Sequence, residues 1–296
     1  MTRARQTFGA WLALAPALAV VGLMVGASLA YGVAQSLGLL AIIGTDQPSL
    51  AAYRDLLSGT GPAGREFWPA LGFSLWVSLA STGLAALGAL LVAAALDSRR
   101  WAGDGAILLT LNLNLAFPHL VWAVALGLLL AQSGLLARFA AALGLISAPA
   151  EFPVLVRDRD GLGIILHYVS KEMPFLVLIV LAVLRTQGTG YHLVAENLGA
   201  DGWQRMRRVT LPLVLPALAA GSALVFAFSF GAYEVPALLG VRYPRTLAVL
   251  ALESFVNPDL RQRAAGMAIS LVIGLVTLVA VGLGRAWQRA EAHHDA

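Results

Sequence analysis

Six long apolar stretches constrain the fold of this chain more than any other feature of its sequence. They lie at about 9–32, 67–96, 105–132, 161–185, 211–239 and 264–284. A helix that crosses a hydrocarbon core about 30 Å thick needs roughly 20 consecutive apolar residues. Only 12% of the residues are charged, about half the fraction in a soluble globular protein. The chain is therefore predicted to be an all-α polytopic membrane protein with six transmembrane helices.

The first apolar stretch also has features of a secretory signal peptide. Arg3 and Arg5 precede it, and Ser-Leu-Ala at 28–30 resembles a cleavage site. A signal peptide has an apolar region of only about 7–15 residues, whereas the run from Phe8 to Ala34 is almost unbroken. This length favours a retained helix, and a cleaved signal peptide is the alternative.

The distribution of arginines favours a cytoplasmic N-terminus and a cytoplasmic C-terminus, because short cytoplasmic loops are enriched in basic residues. In this topology the cytoplasmic arginines are Arg3, Arg5, Arg99, Arg100, Arg185, Arg205, Arg207, Arg208, Arg285 and Arg289. We divide the chain into a first helix with an external segment at 1–66, a transmembrane core at 67–284 and a cytoplasmic tail at 285–296. The high pI does not indicate nucleic-acid binding, because the arginines are scattered and flank the predicted helices.

A polar segment with several arginines lies between the fourth and fifth apolar stretches. Residues 193–198 are predicted to form a short helix, and Gly199 can adopt the sharp turn that other residues resist. Asp201 is expected to cap a second short helix at 202–209, and Pro212 suits the first turn of the fifth span. The alternative is an ordinary basic loop whose arginines contact lipid headgroups.

The same segment resembles the EAA loop of ABC-importer permeases. That family pattern has Glu-Ala-Ala, then a glycine, and closes with Ile-x-Leu-Pro. Here Gly199 and Ala200 match the glycine position, and Val-Thr-Leu-Pro at 209–212 matches the close. Leu-Val-Ala at 193–195 replaces Glu-Ala-Ala, so the glutamate of the family is missing. The stretch SFGAYEVPALLG at 229–240 looks like permeases for spermidine and putrescine, ferric iron or thiamine, and the resemblance covers the second to sixth spans.

The resemblance implies a permease core and a transport subunit without catalytic residues. Its partners would be two ABC ATPase subunits on the cytoplasmic loops, a second permease subunit, identical or different, and an external solute-binding protein. ATP would be bound by the ATPase, with no cofactor in this chain, and the location would be the bacterial inner membrane. The loop at 186–212 would contact the ATPase through Ala195, Gly199, Ala200, Asp201, Trp203, Arg205, Arg207, Arg208 and Pro212.

The residues also exclude several chemistries. A phosphate-binding loop of the Walker type needs Gly-Lys followed by Ser or Thr, but the only lysine, Lys171, is followed by Glu172. Cysteine is absent, which excludes disulfides and thiolate sites. His293 and His294 lack a third ligand nearby, so no metal site is predicted.

Polar groups inside the apolar stretches are candidates for the solute path, because such groups are costly in a membrane. The candidates are Asn114, His119, Lys171, Glu172, Tyr233 and Glu234. For Lys171 and Glu172 the alternative is snorkelling or structural pairing. Asn112, Asn114 and His119 are expected to form hydrogen bonds between helices rather than to bind substrate.

The acidic Glu234 suggests a cationic solute such as a polyamine, with iron, thiamine, or an oxyanion or phosphonate as alternatives. Glu234 can instead anchor a helix break before Pro236. The rival class is an ion-coupled secondary transporter that uses Lys171, Glu172 and Glu234. Against it stand the EAA-like loop and the lack of detectable inverted repeats or broken-helix pairs. An intramembrane enzyme would need a catalytic arrangement that the sequence does not offer.

Overall fold

The computed structural model describes residues 2–39, 47–98 and 104–294, and it has no β-strand within these ranges. In chain order the helices are α1 (Thr2–Ser36), α2 (Ala51–Ser58), α3 (Gly61–Ser98), α4 (Asp104–Ala116), α5 (His119–Leu130), α6 (Leu135–Ala142), α7 (Leu162–Val183), α8 (Thr189–Asn197), α9 (Gly202–Arg205), α10 (Leu211–Gly231), α11 (Glu234–Leu239), α12 (Leu247–Phe255) and α13 (Gln262–His294). Two π-helical turns join α7 to α8 and α9 to α10, at Leu184–Gly188 and Met206–Thr210.

Six segments in the described part of the chain are long and apolar enough to cross a membrane, which confirms the all-α, six-span prediction. They are Ala13–Ser36, Gly61–Ala93, His119–Ala142, Leu162–Gln187, Gly202–Gly231 and Gln262–Arg285. The turn at Arg99 and Arg100, which the topology prediction places in the cytoplasm, lies outside the described residues.

The third apolar stretch, predicted at 105–132, is divided into two helices. Helix α4 ends at Ala116, and α5 begins at His119. Pro118 explains the break, because its ring disfavours the helical conformation of the preceding residue. Pro118 itself is extended, with φ −60° and ψ 143°. The prediction is therefore wrong in its boundaries, and Gly105–Ala116 is a shorter apolar helix before the span.

The fifth apolar stretch, predicted at 211–239, is also interrupted, at the position where the sequence left open a helix break before Pro236. Helix α10 ends at Gly231, and α11 begins at Glu234. Pro236 has no N–H to donate to the carbonyl of Ala232 four residues earlier, and Ala232 has an extended ψ of 136°. The two breaks also remove one argument made against a secondary transporter, namely that the chain lacks broken helices.

The described residues cluster into two compact units. The first comprises residues up to 67 together with 250–272. Within it, the hydroxyls of Ser36 and Tyr53 lie 2.7 Å apart and link α1 to α2. Gly64 packs so closely on α2 that a Cβ there would lie 2.3 Å from the carbonyl oxygen of Asp55.

The second unit comprises residues 68–249 and those from 273 onward, and α7 lies at its centre. In the span that contains α7, 61% of the most apolar stretch is buried inside the protein, against at most 33% in the other spans. Leu176 and Val180 of α7 belong to the same buried cluster as Val214 and Leu218 of α10. At Gly221 of α10 an added Cβ would lie 2.8 Å from a side-chain carbon of Leu176. Helices α7 and α10 are thus tightly packed through the apolar core.

Candidate functional site

The 186–212 loop is built from extensions of two spans. Helix α7 continues through the π-helical turn Leu184–Gly188 into α8, and α9 continues through Met206–Thr210 into α10. The predicted helix at 202–209 therefore does not end before the fifth span. Pro212 lies within the continuous helix and lacks the N–H of a regular turn, which fits the change to π-helical hydrogen bonding just before it. The predicted separate short helices are wrong, and each is the end of a membrane helix.

The turn between α8 and α9 has the predicted geometry. Gly199 has a φ of +77°, in the left-handed region that glycine adopts at little cost. The Ala200 N–H donates to the Ala195 carbonyl at 3.0 Å, and the Gly199 N–H donates to the Glu196 carbonyl at 2.9 Å. The first bond closes the end of α8 as in a Schellman motif. Ala195 is buried in this turn.

Asp201 caps the second arm of the loop, as predicted. Its Oδ1 accepts a hydrogen bond from the Gln204 N–H at 2.7 Å, and the Gln204 side chain accepts from the Asp201 N–H at 3.2 Å. Both bonds of a capping box are present. Such a cap stabilises a helix start by about 1 kcal/mol, so the direction in which α9 leaves the turn is well defined.

Two contacts join the arms of the loop. His192 Nε2 lies 3.2 Å from Thr210 Oγ1, and Arg205 Nη1 lies 3.7 Å from Glu196 Oε1. The glutamate of the family pattern is absent at position 193, and Glu196 forms its ion pair within the loop. An ion pair this exposed contributes little to stability.

The tip of the loop exposes large apolar side chains. Leu198 is 81% exposed and Trp203 is 72% exposed. The other exposed members of this apolar tip are Tyr191, Leu193 and Val194. Among the arginines, Arg207 and Arg208 are exposed and Arg205 is half-buried. An apolar surface bordered by charge is typical of a protein-binding site, and the same composition also occurs where a helix lies at a membrane surface.

The structure brings several of the predicted path residues together around the break between α4 and α5. Lys171 of α7 is only 2% exposed. Its Nζ donates to the carbonyl of Phe117 at 2.7 Å and also to the carbonyl of Asn114. The lysine therefore pairs with the end of α4 and does not snorkel to a surface. The partners of Lys171 Nζ are thus backbone carbonyls of another helix end and not the neighbouring Glu172.

His119, the first residue of α5, links the break to α7. Its Nε2 lies 3.6 Å from Glu172 Oε1, and its Nδ1 lies 3.4 Å from His167 Nε2. Its ring also packs on Phe228 of α10, with 4.8 Å between centroids. The predicted hydrogen bonding between helices is confirmed for His119. We call His119, His167, Lys171 and Glu172 the central polar cluster.

A cavity of about 230 Å³ opens at this cluster. Its lining residues are Leu115, His119, Lys171, Glu172, Phe175, Leu224, Val225 and Phe228. One wall is therefore polar, and the rest is apolar. Buried polar atoms without a hydrogen-bond partner cluster here, namely Asn114 Oδ1, His167 Nδ1, Tyr168 Oη and Glu172 Oε1. Buried polar groups normally have partners, and of these four atoms only Glu172 Oε1 belongs to a residue that lines the cavity, where it can accept a hydrogen bond from a solute.

Two other predicted path residues lie outside the lining of the cavity, although Glu234 is near enough to His119 and Tyr168 to interact with them electrostatically. Tyr233 and Glu234 are exposed and do not line the cavity. Glu234 is the first residue of α11, where a carboxylate is favoured by the helix dipole. The prediction for Asn112 is wrong, because its side chain donates to Leu108 O within its own helix, at 2.7 Å.

Sequence analysis missed three residues of this site. His167 and Tyr168 are fully buried, and Phe228 closes the opposite wall. The signal was present for the first two: positions 167, 168, 171 and 172 follow helical spacing in an apolar stretch, which places them on one face. Phe228 carries no such signal, because an aromatic residue in an apolar stretch is ordinary. No group of three or more metal-ligating side chains occurs in the described residues.

The fold matches that of an ABC-transporter membrane chain. The structure aligns with a chain from a crystal structure of a bacterial alginate ABC transporter in complex with an alginate pentasaccharide-bound periplasmic protein. The TM-score is 0.76, at 16% identity, over 97% of this chain and 95% of that chain. At this identity the likeness shows the fold alone.

Residues 85–290 match the family of binding-protein-dependent transport system inner membrane components, and the chain belongs to that family. The predicted family of ABC-importer permeases is thereby confirmed. The chain is 33% identical over 236 residues to the inner membrane ABC transporter permease protein YnjC of Escherichia coli (strain K12), covering 77% of this chain and 44% of the relative. It is 33% identical over 177 residues to the molybdenum transport system permease protein ModB of Mycobacterium bovis (strain ATCC BAA-935 / AF2122/97), covering 58% of this chain and 61% of that relative. The chain thus spans between 44% and 61% of the length of these relatives.

Proposed function

We propose that this chain is the permease subunit of an ATP-driven importer, which forms part of the solute path and receives motion from a separate ATPase. The observation that carries the proposal is the apolar tip of the 186–212 loop. Leu198 and Trp203 are largely exposed there, on a capped turn whose two arms continue into α7 and α10. A bulky exposed pair on a well-defined turn suits insertion into a cleft of a partner.

Continuity of the helices supplies a physical route from the loop to the path. Helix α7 carries Lys171 and Glu172, and α10 carries Phe228, so both helices contribute walls of the cavity. The close packing at Gly221 holds the two helices together. Displacement of the loop by an ATPase would therefore shift both walls of the cavity, since packed helices transmit motion as rigid elements.

The partners follow from the same proposal. An ATPase must bind the loop, since this chain has no Walker-type lysine, and a second permease subunit, identical or different, would complete the path. An external solute-binding protein would deliver the solute, as the family description implies. Membership of an inner membrane family supports a location in the bacterial inner membrane, with the N-terminus in the cytoplasm as the sequence predicts.

For the solute we propose a small oxyanion, with molybdate as the probe. The similarity to a molybdenum transport permease supports this choice. The polyamine prediction depended on Glu234, which is exposed and outside the cavity, so the structural support for a cation is weak. The cavity itself combines one carboxylate, one amine and one imidazole, from Glu172, Lys171 and His119, and thus has no excess of negative charge.

The ATPase contact can be tested by photo-crosslinking. A benzophenone amino acid replaces Trp203, and the chain is expressed with a candidate ABC ATPase from the same organism. Irradiation is expected to yield a covalent product with the ATPase. Trp68 gives a matched control, because it is half exposed and lies near the start of the second apolar stretch, which the predicted topology places at the external side of the membrane. Equal crosslinking from both positions, or none from position 203 in an intact complex, would contradict the proposal.

The identity of the solute is tested by calorimetry, which measures binding of molybdate, sulfate, putrescine and spermidine to the purified binding protein. Tight binding of an oxyanion supports the proposal. Tight binding of a polyamine alone would overturn the oxyanion and restore the cation prediction, while the permease proposal would stand.

A further inference from the structure

Lys171 is bound to the chain directly before His119. Helix α4 ends at Ala116, and the last carbonyls of a helix have no donor within that helix. Two carbonyls at this end, those of Asn114 and Phe117, accept hydrogen bonds from Lys171 Nζ. The partial negative charge at a helix C-terminus also favours a cation at this position. The lysine therefore supplies a donor from α7 to a helix end that Pro118 leaves incomplete.

His119 depends on this arrangement for its position. Only Pro118 separates it from Phe117, whose carbonyl is held by Lys171. From there the His119 ring reaches Glu172, His167 and Phe228. The two polar contacts are at the outer limit of their type, with 3.6 Å between His119 Nε2 and Glu172 Oε1 and 3.4 Å between His119 Nδ1 and His167 Nε2. Polar contacts this long make the placement of the ring depend on the position of the preceding chain.

We propose that Lys171 is a positioning residue: it fixes the break between α4 and α5 and thereby places His119 in the wall of the cavity. The inference depends on the proposed transport function and deepens it, because it assigns the contact with solute to His119 rather than to the lysine. Although Lys171 lines the cavity, its Nζ is engaged by two carbonyls.

The competing interpretation is that Lys171 attracts an anionic solute directly by its charge. The two interpretations differ in their dependence on His119. If Lys171 acts through His119, loss of either residue removes the same interaction, and the double variant is no worse than the single one. If Lys171 contacts the solute itself, the two losses add, as independent effects do.

The test uses the complete transporter in proteoliposomes, with ATPase and binding protein, and measures uptake of radiolabelled molybdate per ATP hydrolysed. Radiolabelled putrescine replaces molybdate if calorimetry selects the polyamine. The variants are Lys171→Met, Lys171→Arg, His119→Gln, and Lys171→Met with His119→Gln. Lys171→Met and His119→Gln are each expected to lower uptake per ATP about tenfold, equivalent to ~1.4 kcal/mol, and the double variant should show the same loss.

Rescue by the conservative variant separates positioning from simple destabilisation. Arginine can also donate to two carbonyls, so Lys171→Arg is expected to retain uptake per ATP within about threefold of wild type. Arg65→Met is the control, because Arg65 is exposed and its Nε donates to a carbonyl of its own helix, at 3.2 Å. Arg65→Met should leave uptake per ATP unchanged.

Three results would overturn the inference. They are wild-type uptake per ATP in Lys171→Met, losses of uptake per ATP that add in the double variant, and a loss in Lys171→Arg as large as that in Lys171→Met. If Lys171→Met does not assemble, Lys171→Gln takes its place in the same cycle, and losses of uptake per ATP that add to those of His119→Gln contradict the inference. Failure of the wild-type complex to transport with ATP would instead contradict the proposed function.

Discussion

His192 Nε2 on α8 and Thr210 Oγ1 in the second π-helical turn lie 3.2 Å apart. The contact crosses from the arm that continues α7 to the arm that continues α10, at the base of the 186–212 loop. Thr210 is buried there, so water cannot easily replace the bond. The two arms are therefore joined by side chains as well as by the turn, which suits a loop that must move as one body.

Loss of this contact should loosen the arms. Thr210→Val keeps the shape of the side chain but removes the hydroxyl, at an expected cost of about 0.5–1.5 kcal/mol. Solute uptake per ATP is expected to fall a few-fold, while the ATPase still binds. Thr186→Val is the matched control, because the Thr186 hydroxyl bonds only to carbonyls of its own helix, Ala182 O and Val183 O. Equal effects of the two valines would show that the crossing contact has no role in coupling.

Gly199→Val should distort the turn at the tip of the loop. No atom lies within 4 Å of a Cβ built at Gly199, so the effect comes from the positive φ, which costs a β-branched residue roughly 1–2 kcal/mol. Uptake is expected to fall while the amount of inserted protein stays normal. Gly202→Val is the control, because that position is also open but has no positive φ. Unchanged transport in Gly199→Val would argue against the coupling assignment.

Glu234→Gln is expected to leave uptake within about twofold of wild type, because substitutions of exposed side chains have small effects and solvent screens the charge interaction of Glu234 with His119. Glu234 is exposed at the start of α11 and does not line the cavity. Initial uptake rates of both variant and wild type, measured with molybdate and with putrescine, check this expectation. A strong loss of uptake in Glu234→Gln would indicate that Glu234 lies in the solute path and would favour a cationic solute.

Single cysteines can test the topology, because the natural chain has none. Arg205→Cys is expected to be cytoplasmic, and Asp259→Cys to be external, from the distribution of arginines. A membrane-impermeant thiol reagent on intact spheroplasts should label position 259 and not position 205. The reverse pattern would place the 186–212 loop on the wrong side for an ATPase.

The sequence predicted the number of spans and the turn of the loop because both depend on local chemistry. Apolar length defines a span, Gly199 defines a left-handed turn, and Asp201 defines a cap. The breaks at 117–118 and 232–233 were harder to predict, because proline in a membrane helix is compatible with either a kink or an interruption. The role of Lys171 required knowledge of which helix end faces α7, and no local pattern contains that information.

Transport by the reconstituted complex tests the central claim most directly. Proteoliposomes contain this chain with its partner permease and ATPase, the loaded binding protein is added outside, and radiolabelled solute is counted inside. We predict accumulation that requires ATP and the binding protein and that persists when proton and sodium gradients are collapsed. Accumulation driven by an ion gradient without ATP would contradict the account and establish a secondary transporter instead.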